Sequence, residues 1–220
     1  MAISKFNYNS FNVTPVASKA LAFDADADGF TTASGSSMVL IKTLTASSSA
    51  TLSFVNGSSD VVLDDTYPIY KFEFINIHPS ATSYFQVNFR DGSTAYDATK
   101  TSTAFGAIHT EGDDSPSLAY VGGSDLAQGT GVQRLTTGEL NSGNADDSLS
   151  DHLHLFNPSS TTFVKHFMST VNYSNNSPAS ENSYIAGYCN VTAAIDAVQF
   201  SMSSGNIDAG KIKLYGIKDS

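Results

Sequence analysis

The chain contains short segments in which apolar and polar residues alternate, and this pattern constrains its fold more than any other feature. The clearest segment is 69–77, where Tyr70, Phe72 and Phe74 fall on one side and Lys71 and Glu73 on the other. A period of two residues is that of a β-strand with one buried face. No segment shows three turns of an amphipathic helix. The sequence therefore predicts an all-β fold.

Similar segments recur along the chain, separated by turn signals such as Asn56-Gly57 and Asp91-Gly92. They comprise residues 38–44, 50–55, 84–90, 152–156, 162–171, 183–191, 195–202 and 208–215. Segments 69–77 and 84–90 are predicted to form an antiparallel hairpin or to be near neighbours. About ten strands at this spacing predict a two-sheet antiparallel β-sandwich, with a jelly roll as the expected topology.

Two regions interrupt this pattern. Residues 1–37 are polar with scattered aromatics, which predicts an N-terminal arm outside a single sandwich domain at 38–220. Residues 110–150 are acidic and rich in turn residues, with strand-like sequence only near 119–121 and 131–136. They are expected to form a long excursion at one edge or end of the sandwich. Long loops on a rigid β scaffold commonly carry contacts with partners.

Charge and cysteine content narrow the function classes. The formal net charge is −10, which argues against nucleic acid as a direct partner because such binding needs a basic surface. The single cysteine, Cys189, allows no internal disulfide, so the chain suits a reducing compartment. No stretch approaches the roughly 18 apolar residues of a membrane-spanning helix, and the first residues lack the pattern of a signal peptide. We therefore expect assembly in a cytoplasm, without a membrane partner.

The segment DADADG at 24–29 is the candidate metal site. It places carboxylates at Asp24, Asp26 and Asp28, and alternating carboxylates followed by glycine begin a calcium-binding loop. The twelfth position of such a loop is Gly35, where an EF-hand needs an acidic residue. The alternatives are a partial Ca²⁺ site completed by other loops and an acidic surface turn. No other cofactor is expected.

A second candidate is the pair His152 and His154, whose spacing places both imidazoles on one strand face. This is an acceptable spacing for two metal ligands, and His78, His109 or His166 could join them. The alternative is a pair of histidines on a solvated strand face or at a subunit contact.

Catalytic motifs are absent from the sequence. It contains no GxSxG, GxxxxGK[ST] or HExxH motif, so we predict a protein that is not an enzyme. Cys189 lies in an apolar segment, which favours a buried thiol over a nucleophile. Tyr173, Asn175 and Asn176 could bind sugars from a loop, but most tyrosines of such a chain straddle core and surface.

Two sets of residues are interface candidates. Phe11, Phe23 and Phe30 interrupt the polar N-terminal region and could anchor it to this subunit or to a neighbour. The last segment alternates so that Ile212 and Leu214 should be buried, while three residues should face outward, namely Lys211, Lys213 and Tyr215. That outward strip is basic in an otherwise acidic chain. It is a candidate contact for an acidic neighbouring subunit, and a solvated strand face is the alternative.

Several segments carry a resemblance to a known family. They are MAISKxNYNS at 1–10, TLTASSSATLSF at 43–54, FINIHP at 74–79, LHLFNP at 153–158, TFVKHFMS at 162–169 and SGNIDAGKIKLYGI at 204–217. Together they resemble a family of small all-β structural proteins of marine tailed bacteriophages, including phages of marine cyanobacteria. The resemblance covers most of the chain and lies in structural segments, so it transfers no catalytic residues.

The resemblance implies a virion protein, synthesised and assembled in the cytoplasm of a host bacterium. We expect a capsid-decorating or cement protein that stabilises the outer shell of the head. Its expected partners are further copies of itself, in a trimer, and the major capsid protein or other virion subunits. The alternative is a tail or fibre component that binds glycans on the host surface.

Overall fold

The computed structural model describes residues 21–23, 30–32, 36–114, 116–144, 146–175 and 178–219, and every regular element among them is a β-strand. The strands are β1 (Leu21–Phe23), β2 (Phe30–Thr32), β3 (Met38–Thr45), β4 (Thr51–Val55), β5 (Ile69–Pro79), β6 (Phe85–Arg90), β7 (Lys100–Thr110), β8 (Ser117–Tyr120), β9 (Gln133–Arg134), β10 (Leu149–Phe156), β11 (Lys165–Ser174), β12 (Ala179–Cys189), β13 (Ala197–Met202) and β14 (Ile207–Ile217). The chain divides into two compact units, Met1–Val39 and Leu40–Ser220, with the boundary inside β3.

Twelve strands form two antiparallel sheets, and β1 and β2 form a separate antiparallel pair. The larger sheet has the order β3-β14-β5-β10-β11-β12-β7-β8, and the smaller sheet has the order β4-β13-β6-β9. The predicted all-β sandwich of two antiparallel sheets is confirmed, with twelve strands in place of about ten. The jelly-roll topology stays a prediction.

The pairing follows a regular scheme in eight of these strands. β3 pairs with β14, β4 with β13, β5 with β10 and β6 with β9, so early strands of the sandwich pair with late ones. The other four strands, β7, β8, β11 and β12, extend the larger sheet beyond β10. They make the larger sheet twice as wide as the smaller one.

The predicted hairpin of segments 69–77 and 84–90 is wrong. β5 pairs with β10 and β14 in the larger sheet, whereas β6 pairs with β13 and β9 in the smaller sheet. The two strands instead face each other across the core, where the rings of Phe74 and Phe85 lie 5.1 Å apart. Alternation fixed the buried faces of both strands correctly, but it contains no information about which strand is the hydrogen-bonded neighbour.

Aromatic side chains from both sheets fill the centre of the sandwich. Phe200 of β13 lies at the middle of this cluster, and its ring centroid is 5.3 Å from those of Phe72 and Phe74 on the opposite sheet. Phe85 stacks on the same ring at 5.8 Å. All four side chains are buried, so the cluster joins the two sheets through apolar burial.

The terminal strand accommodates a bulge in its neighbour β5. Asn76 of β5 has a φ of 49°, and the register of β5 shifts there against both β10 and β14. Gly210 of β14 faces this bulge with a φ of 108°, and a Cβ atom at Gly210 would lie 2.4 Å from the Asn76 carbonyl oxygen. Only glycine accepts both this backbone conformation and this approach.

The predicted excursion at 110–150 supplies one edge strand to each sheet. β8 is the last strand of the larger sheet and β9 the last strand of the smaller one. Single bridges also tie Leu140 to Ser83 and to Asn175, and Gly129 to Lys100. The excursion is therefore attached at the side of the sandwich where the added strands lie.

Candidate functional site

The outer face of the larger sheet carries a continuous row of large side chains. The strand register aligns His152 of β10 with Thr170 of β11, Thr170 with Tyr184 of β12, and Tyr184 with Phe105 of β7. The adjacent row aligns His154, Met168 and Ala186. Large groups on β10 and on β12 thus flank the smaller or more flexible side chains of β11.

These side chains enclose a depression of about 200 Å³, called the slot below. It is lined by His152, His154, Met168, Thr170, Tyr184 and Phe105, together with Ser169, Ile185 and Ala186. The rings of Phe105 and Tyr184 are stacked at 4.7 Å with an interplanar angle of 12°. The two imidazoles meet edge to face at 4.5 Å. Phe105 is 40% exposed and Met168 is 55% exposed, so the slot opens outward.

Among the described residues, no carboxylate, ammonium or guanidinium group lines the slot. Burial, and secondly the neighbouring His152, lower the pKa of His154, which keeps its imidazole uncharged at neutral pH. The nearest charged groups are the Asp151 carboxylate, which contacts His152, and the pair on β5 in which Lys71 Nζ and Glu73 Oε1 lie 3.4 Å apart. The lining therefore combines apolar surface with imidazole and hydroxyl groups that can donate or accept hydrogen bonds.

Asp151 fixes the orientation of one slot residue. Its carboxylate accepts a hydrogen bond from Nδ1 of His152, which leaves Nε2 for another partner. Asp151 has a φ of 128°, in a region that side-chain-bearing residues rarely occupy. The register shift between β10 and β5 ends at this residue. Strained backbone and a bulge beside a polar side chain are features that cluster at functional sites.

The prediction that His152 and His154 share one strand face is confirmed. The other three histidines lie elsewhere: His78 faces Asp208 at 3.6 Å, His109 faces Asp113 at 3.1 Å, and His166 packs against Tyr188. Within the described ranges, no three His, Cys, Asp or Glu side chains converge so that they could hold a metal ion. The calcium candidates Asp24, Asp26 and Asp28 lie outside the described residues.

The interface candidates of the last strand have the predicted exposure. Ile212 and Leu214 are fully buried, Lys211 is exposed, and Lys213 and Tyr215 are half-buried. Lys213 lies opposite Glu73, and Tyr215 lies opposite Lys71. The strip is therefore part of the same outer sheet face as the slot. Its role as an interface stays a prediction.

Two of the three phenylalanines considered as interface candidates, Phe23 and Phe30, lie within the described residues. Phe23 and Phe30 are paired across β1 and β2, and their rings stack at 5.1 Å. Phe23 remains 70% exposed. Phe11 lies outside the described residues.

Tyr173, considered above as a loop residue for sugar binding, is a buried residue of β11. Its hydroxyl accepts a hydrogen bond from the Gly138 N–H at 2.7 Å, and burial raises its pKa. Thr137 donates to Glu181 Oε1 at 2.6 Å and contacts the Ser183 hydroxyl at 2.7 Å. This buried network attaches the excursion to β11 and β12, so Tyr173 has a structural role and is inaccessible to a ligand.

The predicted burial of Cys189 is confirmed, and two buried lysines flank it. The register places Lys165 of β11 and Lys100 of β7 on either side of Cys189 on the inner face of the sheet. Desolvation raises the pKa of the thiol to about 12, although both lysines oppose that shift. Lys100 Nζ donates to Asn88 Oδ1 and to the Ala98 carbonyl, both at 2.6 Å. The thiol is therefore protonated at neutral pH.

Two slot residues were not singled out by sequence reasoning. Tyr184 lies in a predicted strand, and its alternation with buried Ser183 and Ile185 would have placed it on the outer face. Phe105 lies in β7, a strand that was not predicted. Sequence patterns also cannot show that β7 and β12 are neighbours, which is what brings these two rings together.

Comparisons of the chain with protein-family models, curated proteins and solved structures find no match. In the part of the chain that the structure describes, no helix has the length and apolar character needed to cross a membrane.

Proposed function

We propose that this chain is a non-enzymatic structural protein of a bacteriophage virion, which decorates the outer capsid and stabilises the head as an oligomer. The observation that carries the proposal is the strand pairing. A jelly roll is formed when one long hairpin of eight strands is rolled into two sheets, so that early strands pair with late ones. The pairs β3–β14, β4–β13, β5–β10 and β6–β9 follow that scheme.

This pairing supports a jelly roll with two inserted strand pairs, β7–β8 and β11–β12. Jelly rolls occur in viral capsid domains and in lectins, which agrees with the resemblance of the sequence to phage structural proteins. Fold alone does not establish function, so the proposal also needs a contact surface. A sandwich has solvent-facing sheet surfaces and loops available for symmetric contacts with neighbours.

The proposed contact is the basic strip of β14. Lys211 and Lys213 project from the outer sheet face, and the pair Lys71–Glu73 beside them adds no net charge. The whole chain has a net charge of −10, so this strip is a positively charged surface on a negatively charged protein. Such a strip suits an acidic surface on a neighbouring subunit, where charge complementarity favours association and orientation.

The strip is tested by reversing Lys211 and Lys213 to Glu in one variant and measuring binding to particles that lack the protein. We expect at least tenfold weaker binding at low salt, because two attractive charges become repulsive. Lys218→Glu is the matched control, since it changes an exposed lysine outside the sheet. Unchanged binding of the double variant would leave the last strand with a purely architectural role.

The location of the protein tests the proposal itself. Purified particles should contain the protein in high copy number, and it should co-purify with DNA-filled heads. Low copy number on isolated tails would instead support the second candidate, a tail or fibre component that binds host-surface glycans. The exposed slot is the observation that favours this second candidate. Absence from the particle would refute both.

A further inference from the structure

The spacing of the strands gives the slot the width of one six-membered ring. Neighbouring strands lie about 4.8 Å apart, so β10 and β12 are separated by about 10 Å across β11. A ring in van der Waals contact on both sides needs about 7–8 Å, because each carbon contact takes about 3.5–4 Å. Thr170, a small side chain of the central strand β11, lies directly between His152 and Tyr184.

The volume of the slot points to a ligand of similar size. At about 200 Å³ it is smaller than the roughly 300–1,000 Å³ of pockets that hold drug-sized molecules. The ring of Tyr184, backed by the stacked ring of Phe105, forms one firm wall. The other wall is formed by the two imidazoles, of which His152 is held by Asp151.

The chemistry of the lining favours a neutral, hydroxylated ring. A pyranose presents an apolar face of C–H groups, which suits an aromatic wall, and a rim of hydroxyls that both donate and accept hydrogen bonds. The imidazoles of His152 and His154 and the hydroxyl of Thr170 can satisfy that rim. No carboxylate or ammonium lines the slot, and the acidic chain disfavours polyanions such as nucleic acids.

We propose that the slot is a carbohydrate-binding site for one neutral pyranose unit of a glycan, with the sugar ring stacked against Tyr184. His152, His154 and Thr170 bind its hydroxyls, and Asp151 is a positioning residue that holds His152. This goes beyond the structural role proposed above and applies to a head or a tail protein alike. The centre of the slot is three strands, or about 14 Å, from the basic strip on β14.

Saturation-transfer NMR with the intact chain tests this directly. The probes are the methyl glycosides of glucose, galactose, mannose and N-acetylglucosamine at millimolar concentration, together with a glycan array. We expect transfer to the ring protons of at least one sugar, and shifts of the His152 and His154 imidazole signals upon its addition. If none of these sugars and no neutral glycan on the array binds, the proposal is wrong.

Two variants that act by different means make the result specific. Tyr184→Ala removes the aromatic wall, and Thr170→Phe fills the gap between the walls. Each should weaken binding at least tenfold, whereas Tyr184→Phe should retain most of it. Phe163→Ala, at an exposed aromatic position in the loop between β10 and β11 and outside the slot, is the control. Circular dichroism and the melting temperature verify folding of each variant.

Binding that survives both Tyr184→Ala and Thr170→Phe would place the sugar elsewhere and overturn the assignment. A protein found in purified particles but without glycan binding would refute this site and leave the virion role intact. Glycan binding by a protein that is absent from particles would support the site and refute the virion role.

Discussion

Lys100 should make the stability of this protein increase with pH in a range where most proteins lose stability. The side chain is fully buried, and desolvation lowers its pKa from 10.5 to about 8, although Cys189 and two aspartates partly oppose the shift. Each unit of pKa shift corresponds to about 1.4 kcal/mol, so this change is worth about 3 kcal/mol. Below pH 8 the folded protein carries that cost as a buried ammonium.

The sign follows from proton counting. Between about pH 8 and 10.5 the unfolded chain still binds the Lys100 proton, whereas the folded chain has lost it. Stability rises with pH wherever the unfolded state binds more protons. The contribution of Lys100 to the free energy of unfolding should therefore increase by about 3 kcal/mol across this range.

Urea denaturation of the natural chain and of Lys100→Met, measured at intervals from pH 7 to 10.5, isolates this contribution. The difference between the two free energies of unfolding should shift by about 3 kcal/mol in favour of the natural chain as pH rises. Other titrating groups, such as Tyr70 with its pKa raised to about 12, contribute equally to both proteins and cancel. Lys218→Met, at an exposed position, should show no such shift. A flat difference for Lys100→Met would refute the argument from desolvation.

Three further changes test the packing. Gly210→Ala should lower the free energy of unfolding, measured in urea, by about 2–4 kcal/mol, because the new Cβ would clash with the Asn76 carbonyl at a strained φ. The control Gly143→Ala has open space around its new Cβ and should cost under about 1 kcal/mol. Phe200→Ala should cost about 3–5 kcal/mol because it empties the centre of the aromatic cluster, and a loss below 1 kcal/mol would contradict that position. Thr137→Val should cost about 1–3 kcal/mol by leaving Glu181 Oε1 without its buried donor, and hydrogen exchange should then increase in the excursion.

Alternation in the sequence predicted most of the strands and their buried faces, but not their arrangement. In β5 the residues Tyr70, Phe72 and Phe74 are buried, as the period of two requires, and β14 follows the same rule. The hairpin prediction for β5 and β6 failed because strands in opposite sheets have the same period as strands that are hydrogen-bonded neighbours. Proximity along the chain favours pairing, but the connections β4–β5, β5–β6 and β6–β7 each cross from one sheet to the other.

For a related reason, the sequence predicted that the two histidines of the slot lie together, but not that the two aromatic residues join them. The spacing of His152 and His154 places them on one face, since both belong to one strand. Tyr184 and Phe105 join them only through the order β10-β11-β12-β7, in which β7 comes from a distant part of the chain. Which side chains share a site therefore depends on long-range pairing that the local pattern does not contain.

The strand that escaped prediction also explains how the slot arises. In β7 the inward positions are Lys100, Ser102, Ala104 and Gly106, so polar side chains occupy half of this inner face, while Phe105 faces outward. The inward residues of β7 that are not apolar have partners in the excursion or in β6. Ser102 donates a hydrogen bond to Gln133, and Thr137 Oγ1 occupies the space that a Cβ atom would need at Gly106. A polar inner face on β7 is thus satisfied by the excursion packed over it. Phe105 faces outward, where its ring stacks on that of Tyr184 because β7 pairs with β12. It thereby supports the wall against which we propose that a sugar ring stacks.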